Sequence, residues 1–215
     1  MRVTAETKAA TEQTIRNSAL RLFSRHGVEA TGARDIAKDA GIAVGTLFNY
    51  FPSKEALAAR LVADQLDSTP NPEPPIASSL EAELFALIAA DIRALKPVRS
   101  FVADVLESGF SPFDHTLRES GQFHSLAEIR AQKLFDASAV LVRYGHHASV
   151  GAALMHLYWA LYLAVLSFWC ADKSPNQEDT WALLDHSTRM FVAGLSAKPT
   201  TSTSNPSDNF KESVA

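Results

Sequence analysis

Residues 31–57 read TGARDIAKDAGIAVGTLFNYFPSKEAL, and this stretch decides how the first part of the chain folds. Its apolar residues fall where two crossing helices must touch: Ile36, Ala37, Ala40, Ile42 and Leu47. Gly41 lies where the chain must reverse between these helices, a position that often requires positive φ and so favours glycine. The pattern predicts a helix-turn-helix with its recognition helix over about residues 43–51.

The residues of this stretch that are left pointing outward are suited to contact DNA. Thr46, Asn49, Tyr50 and Lys54 carry groups that hydrogen bond or pair with phosphates and base edges. We therefore predict that residues 1–67 form a three-helix DNA-binding domain, closed by a further helix over about 54–67.

The same stretch resembles the DNA-binding domain of the TetR (tetracycline-repressor) family of bacterial transcription regulators. The family pattern runs roughly T-x-x-D-I-A-x-x-A-G-V-S-x-G-T-L-Y-x-Y-F-x-S-K-E-x-L. The matching residues are Thr31, Asp35, Ile36, Ala37, Ala40, Gly41, Ile42, Gly45, Thr46, Leu47, Tyr50, Phe51, Ser53, Lys54, Glu55 and Leu57. Two residues depart from it: Ala43 lacks the N-cap oxygen of the usual Ser, and Phe48 lacks the hydroxyl of the usual Tyr.

The resemblance implies a role for each residue of the DNA-binding set. We expect Thr31 and Lys54 to hold phosphates, with Thr46 and Tyr50 beside them. Base reading would fall to one exposed face: Val44, Gly45, Phe48 and Asn49, with Arg34 contributing from the preceding helix. Val44 and Phe48 suit thymine methyl groups and Asn49 suits adenine. The alternative for Phe48 is that it packs within the domain.

Composition indicates an ordinary globular protein with an uneven charge distribution. Of the 215 residues, 47% are hydrophobic and 20% are charged, and the formal net charge is −4. Residues 1–64 carry nine Lys or Arg against seven Asp or Glu, whereas the remainder carries eleven against seventeen. A DNA-binding domain followed by an acidic regulatory domain fits this division. The lone Cys170 and the lack of a visible secretory signal fit a cytoplasmic protein.

Beyond the helix-turn-helix the chain predicts an all-α protein. A first helix over about 5–26 stops at Gly27, and four prolines in STPNPEPPIA at 68–77 mark the domain boundary. Apolar-periodic segments follow at about 78–95, 98–108, 121–144, 148–171 and 176–197. We assign 68–197 to a helical-bundle regulatory and dimerisation domain, and 198–215, rich in Ser, Thr, Asn and Pro, to a disordered tail.

The segment 148–171 allows two interpretations. It has no Asp, Glu, Lys or Arg over about 24 residues, which is long enough to span a bilayer. Its aromatic residues are spread along the segment instead of gathering at two interfacial belts. We therefore expect a buried or subunit-interface helix and no membrane contact. The family resemblance implies that the last two long helices form the homodimer interface.

The sequence offers little evidence for catalysis or metal binding, but it does support a ligand pocket. The chain has no P-loop, HExxH, GxSxG or CxxC, and its histidines are scattered, so we expect no metal and no cofactor. Members of the resembled family commonly hold a small-molecule cavity in the second domain. The candidate pocket residues are Phe85, Phe101, Phe123, Phe135, His156, Tyr158, Trp159 and Tyr162. For any single one, simple core packing is the alternative.

These observations favour a dimeric transcriptional regulator that is not an enzyme. The resemblance implies a repressor that binds a near-palindromic double-stranded DNA operator and is released by a small apolar effector. One rival is a DNA-binding regulator controlled by a protein partner. The other is a helical enzyme with an accessory DNA-binding domain, which turnover by the isolated second domain would reveal.

Overall fold

The computed structural model describes residues 4–68, 70, 72, 79–109, 124–146 and 151–196. Within these ranges all regular structure is helical, which confirms the predicted all-α class. The helices are α1 (Ala5–Ala30), α2 (Ala33–Asp39), α3 (Val44–Tyr50), α4 (Lys54–Asp67), α5 (Leu80–Ala94), α6 (Arg99–Gly109), α7 (His124–Arg143), α8 (Ala152–Ala171) and α9 (Glu178–Ser196). The predicted tail 198–215, most of the loop 68–77 and the pocket candidate Phe123 lie outside the described residues.

Local turn chemistry explains where the N-terminal helices begin and end. Gly41 has φ 68° in the turn between α2 and α3, as predicted, and the Ile42 amide then donates to the Ala37 carbonyl at 2.9 Å. The Ser53 hydroxyl caps α4 by accepting a hydrogen bond from the Ala56 amide at 3.1 Å. The first helix is longer than predicted, because one more turn follows an interruption at Gly27, where φ is 78°.

The first four helices share one hydrophobic core with the helices that follow. Ile15 and Phe23 of α1 are buried together with Ile36 of α2, Leu47 of α3 and Leu57 of α4. The same core continues through α5 to α9. Helix α6 packs against α1 and α4, and α7 packs against α4. The second half of the chain is therefore in direct contact with α1 and α4.

Helix α8 is long and apolar enough to cross a membrane by length and composition, and no other helix of the described residues is. Its mean hydropathy is 1.5 over its most apolar window, of which 39% is buried inside the protein. The large aromatic residues Trp159, Tyr162 and Trp169 lie on the buried side. The opposite side is exposed and uncharged, and its geometry is described below.

Candidate nucleic-acid interface and buried polar centre

Helix α3 presents most of its surface to solvent. Leu47 is its only buried side chain and anchors it to the core. Gly45, Phe48 and Asn49 are exposed, and Phe48 keeps 47% of its surface accessible. The interpretation that Phe48 packs inside the domain is therefore wrong. Three further candidates on this helix are partly exposed: Val44, Thr46 and Tyr50.

The start of α3 is unobstructed on the protein side. No side chain caps its first turn at Ala43, as expected from the loss of the usual Ser. A Cβ placed on Gly45 would meet no protein atom within 4 Å, so the fold does not require glycine here. Arg34 is also exposed, on α2. These features leave the N-terminal half of α3 open to close approach by another molecule.

Thr31 and Lys54 are used inside the protein, which differs from the phosphate contacts expected from the sequence. Thr31 is 3% exposed and its hydroxyl donates to the Gly27 carbonyl at 2.7 Å, so a direct contact with DNA is not available to it in this conformation. The Lys54 ammonium donates to the carbonyls of Val28 and Glu29, each at 2.8 Å. A cation at the final carbonyls of a helix is favourable because it opposes their partial negative charge.

Two contacts join the helix-turn-helix unit to α6. The rings of Phe23 and Phe101 lie 5.6 Å apart between centroids, and Phe101 is fully buried. The Asp104 carboxylate accepts a hydrogen bond from the Val28 amide at 3.1 Å. Phe101 was predicted to line a ligand pocket, but the structure places it in this junction. Sequence reasoning missed Asp104, because no local pattern announces its distant partner.

Other residues that were predicted to line the pocket also lie apart from one another in the structure. Phe135 is 67% exposed on α7, so it does not line an internal cavity. Phe85 is partly buried and its ring lies 6.3 Å from that of Trp181. It borders an open surface cleft with Asp185 and Arg189. The predicted pocket therefore reduces to the partly buried His156 and a group of aromatic residues on α8.

That group surrounds a buried polar centre between α5, α7 and α8. The Tyr162 hydroxyl donates to Asp91 at 3.0 Å, and the Lys133 ammonium donates to the same carboxylate at 2.7 Å. The rings of Trp159 and Tyr162 stack with centroids 5.1 Å apart. Tyr158 is 2% exposed, and its ring meets that of Phe191 edge to face. The structure thus places Tyr158, Trp159 and Tyr162 together on the buried side of α8, and their role in a ligand pocket stays a prediction.

Burial controls the protonation behaviour of this centre. Desolvation raises the pKa of Asp91 above its usual value, although Lys133 and Tyr162 oppose the shift. Burial, followed by the charges of Asp91 and Asp136, raises the pKa of Tyr158, and burial and Asp91 raise that of Tyr162. Both phenols therefore stay neutral, and that of Tyr162 donates its hydrogen bond to Asp91. Sequence reasoning missed the pair of Asp91 and Lys133, because they lie 42 positions apart and share no local pattern.

The exposed side of α8 is a stripe of small and apolar residues at helical spacing. Its members recur every three or four positions and carry no charge: Ala153, Leu157, Ala160, Ala164, Ser167, Phe168 and Ala171. Leu157 is 58% exposed and Phe168 42%. Met190 is 63% exposed on α9, which packs beside α8. Such a surface is typical of a contact between subunits.

Comparison with known proteins agrees with this architecture. The family model described as "Bacterial regulatory proteins, tetR family" matches residues 15–61, and that described as "Tetracyclin repressor-like, C-terminal domain" matches residues 83–206. A TetR transcriptional regulator from Rhodococcus sp. RHA1 has a similar structure, with a TM-score of 0.62 at 18% identity, covering 89% of this chain and 100% of that one. FadR from Bacillus subtilis, solved in complex with stearoyl-CoA, gives 0.54 at 16% identity, covering 85% and 98%.

Sequence relatives match over a limited part of the chain. The transcriptional repressor KstR2 from Rhodococcus jostii is 38% identical over 85 residues, which cover 38% of this chain and 42% of that protein. An uncharacterised helix-turn-helix regulator, YuxN from Bacillus subtilis, is 40% identical over 58 residues, or 27% of this chain and 20% of that protein. The chain thus spans less than half the length of these curated relatives.

An exposed recognition helix on an all-α body defines a DNA-binding transcription regulator of the helix-turn-helix class. The C-terminal family model alone matches more than half of the residues. The chain belongs to the TetR family of transcriptional regulators.

Proposed function

We propose that this protein is a homodimeric repressor that binds a near-palindromic operator through α3 and leaves it when a small molecule enters the second domain. The observation that carries the proposal is the exposed face formed by Gly45, Phe48 and Asn49 on a helix anchored by Leu47 alone. In this arrangement Asn49 reads adenine, and Val44 and Phe48 contact thymine methyl groups. Thr46, Tyr50 and Arg34 lie around this face as phosphate or base contacts, while Thr31 and Lys54 position α1 and α4.

The dimer follows from the exposed stripe on α8. One recognition helix contacts only a few base pairs, so useful specificity requires two. The uncharged side of α8 around Leu157 and Phe168, with Met190 of α9, supplies an apolar surface that a second copy would cover. Two α8–α9 pairs would then form a four-helix bundle. If a second copy covers this side of α8, its apolar surface is buried in the dimer and needs no membrane.

Release by a ligand follows from the packing of α7. This helix supplies Lys133 and Asp136 to the buried centre and also packs against α4, which carries the helix-turn-helix. A ligand that favours a displaced α7 would tilt α4 and change the spacing of the two recognition helices. Reducing operator occupancy a hundredfold requires about 2.7 kcal/mol of differential affinity between the two states. The complex of FadR with stearoyl-CoA supports the principle that a protein of this fold binds a small molecule.

Footprinting across the promoter of the protein's own gene tests the proposal. We expect one protected near-palindrome with half-sites about one helical turn apart, roughly 34–36 Å, or somewhat more. Binding should weaken steeply with salt because counterions are released from the phosphates. A monomer that protects no region at low salt would contradict the proposal. Regulation by a protein partner would replace ligand control if operator affinity stays fixed across a panel of stabilising ligands.

A further inference from the structure

The buried polar centre contains more negative than positive charge. Asp91 is 3% exposed and Asp136 8% exposed, and they share the neighbourhood of a single ammonium, that of Lys133. Lys133 is committed to Asp91 at 2.7 Å. Asp136 accepts a hydrogen bond from the neutral amide of Gln132 at 2.8 Å, and no cation lies within ion-pair distance of it among the described residues. One buried carboxylate is therefore left without a counter-charge.

Both carboxylates border the same small internal cavity. It has a volume of about 10 Å³ and is lined by Asp91, Lys133, Asp136, Tyr158 and Leu87 among others. A space of this size holds about one water molecule. The Trp159–Tyr162 stack lies directly behind Asp91, because Tyr162 donates to that carboxylate. The cavity itself is bordered by two carboxylates, one ammonium group and one aromatic ring, that of Tyr158.

We propose that this centre recognises an organic cation, namely a protonated amine or quaternary ammonium group on an apolar frame, with Asp136 as its counter-ion. The inference rests on the ligand-controlled function proposed above and specifies the chemical class of the effector. The ammonium group enters the cavity and pairs with Asp136. The aromatic ring of Tyr158, which lines the cavity, lies beside the apolar frame and further stabilises the cation.

Anionic and neutral ligands fit this centre less well. An anion would add a third negative charge to a buried site with one ammonium, and it would have to displace Asp91 from Lys133. A neutral ligand would leave the Asp136 carboxylate buried without a counter-charge, which is costly. The Arg130 guanidinium lies over the Trp159 ring, 5.6 Å from its centroid.

The small volume of the cavity explains how binding would change the protein. Ligand pockets of drug-sized molecules measure about 300–1,000 Å³, far more than the space present here. The ligand must therefore separate α7 from α5 and α8 as it enters. Because α7 packs against α4, the same displacement moves the DNA-binding unit. Binding of the cation in this cavity is therefore coupled to release of the protein from the operator.

Three probes that share one frame test the proposal: phenylbutylamine, phenylbutanol and phenylbutyrate. Each is added to the full-length protein at pH 7, and both ligand affinity and release of operator DNA are measured. We expect the amine to bind about tenfold more tightly than the alcohol, since charge-assisted hydrogen bonds exceed neutral ones by about this factor. The butyrate should bind most weakly, and only the amine should release the operator at low concentration.

The variant Asp136→Asn should lower amine affinity about tenfold while leaving affinity for the alcohol within about twofold. It keeps the shape of the side chain and removes a buried charge, so we expect it to fold. Glu128→Gln is the matched control, because it removes an exposed carboxylate from the same helix and should leave the preference unchanged.

Several outcomes would overturn the inference and separate it from the proposed function. Tightest binding of phenylbutyrate, or an unchanged amine preference in Asp136→Asn, would contradict the cation site while leaving ligand control intact. Binding of none of the three probes would also contradict it, and operator binding would then stand by itself. The ranking of the probes on the wild-type protein decides the question even if the variant fails to fold.

Discussion

The Asp104 carboxylate on α6 accepts a hydrogen bond from the backbone amide of Val28 in the last turn of α1, at 3.1 Å. This amide follows the interruption of α1 at Gly27, and amides at the start of a new helical turn have no partner within the helix. A side chain of the second domain therefore completes the backbone hydrogen bonding of the first. Lys54 holds the carbonyl of the same residue, Val28, from α4. Polar side chains of both α4 and α6 therefore contact the backbone of Val28.

Removing this carboxylate should destabilise the junction. We expect Asp104→Ala to lower the free energy of unfolding by about 1–3 kcal/mol, because the buried amide of Val28 loses a charged acceptor. Asp104→Asn keeps an acceptor oxygen and should lose less. Denaturant unfolding measures the difference, with Glu107→Ala on the exposed side of α6 as control. Equal stability of Asp104→Ala and Glu107→Ala would show that the contact contributes nothing.

Substitution of Gly45 by alanine should raise the stability of the protein and weaken its binding to DNA. A Cβ at this position meets no protein atom, and alanine favours a helix over glycine, so Gly45→Ala should be more stable by about 0.5–1 kcal/mol. The same methyl group would stand between the backbone of α3 and the operator, and affinity should fall about tenfold or more. Thermal unfolding and operator titration are measured on the same preparation. Unchanged operator affinity would place the DNA on another face of α3.

Substitution of Lys54 distinguishes a role in capping α1 from a role in binding a DNA phosphate. Its ammonium holds the last carbonyls of α1, so Lys54→Met should lower the free energy of unfolding by about 1 kcal/mol. The slope of log affinity against log salt should then stay unchanged. If Lys54 instead contacts a phosphate in the complex, the slope will fall by about one. Titrations at several salt concentrations distinguish the two roles.

The exposed stripe of α8 should be the dimer interface. Leu157→Lys places a charge in the middle of this surface, and we expect monomers that no longer bind the palindrome. Phe135→Lys is the matched control, since Phe135 is equally apolar and exposed but lies on α7. Sedimentation or light scattering reports the oligomeric state. A dimeric Leu157→Lys protein, or wild-type protein recovered with membranes, would contradict the assignment.

Asp172 should make the turn between α8 and α9 sensitive to acid. Its carboxylate accepts hydrogen bonds from the hydroxyl and amide of Thr180 and the amide of Ser174, which lower its pKa. A folded-state pKa below the unfolded one stabilises the protein above the unfolded value, about 3.9, and this contribution is lost as pH falls from there towards the lower folded-state pKa. We expect Asp172→Asn to melt lower than wild type at pH 7 and to lose less stability between pH 7 and pH 3.

The control for this pH series is Asp185→Asn, which removes a carboxylate from α9 without touching the turn. Its melting temperature should follow the wild-type dependence on pH. Parallel curves for wild type and Asp172→Asn would contradict the role of Asp172.

The sequence by itself determined the features that depend on neighbours along the chain. The turn at Gly41, the cap at Ser53 and the open start of α3 at Ala43 were all predictable, because φ angles and helix caps involve residues within four positions. The helical class and the family were predictable for the same reason, since apolar spacing and turn residues recur in fixed local order.

Only the tertiary structure decided which groups meet across helices. Phe101 and Phe135 are identical in chemistry, yet one is buried at the junction with α1 and the other is exposed on α7. Thr31 and Lys54 matched a DNA-binding pattern, but their polar atoms are held by backbone carbonyls of α1. No sequence motif marked Asp91 or Lys133. Helical periodicity shows which side of a helix faces inward. The partner of a side chain on that side comes from a segment tens of residues away, and the packing of the helices decides which partner it is.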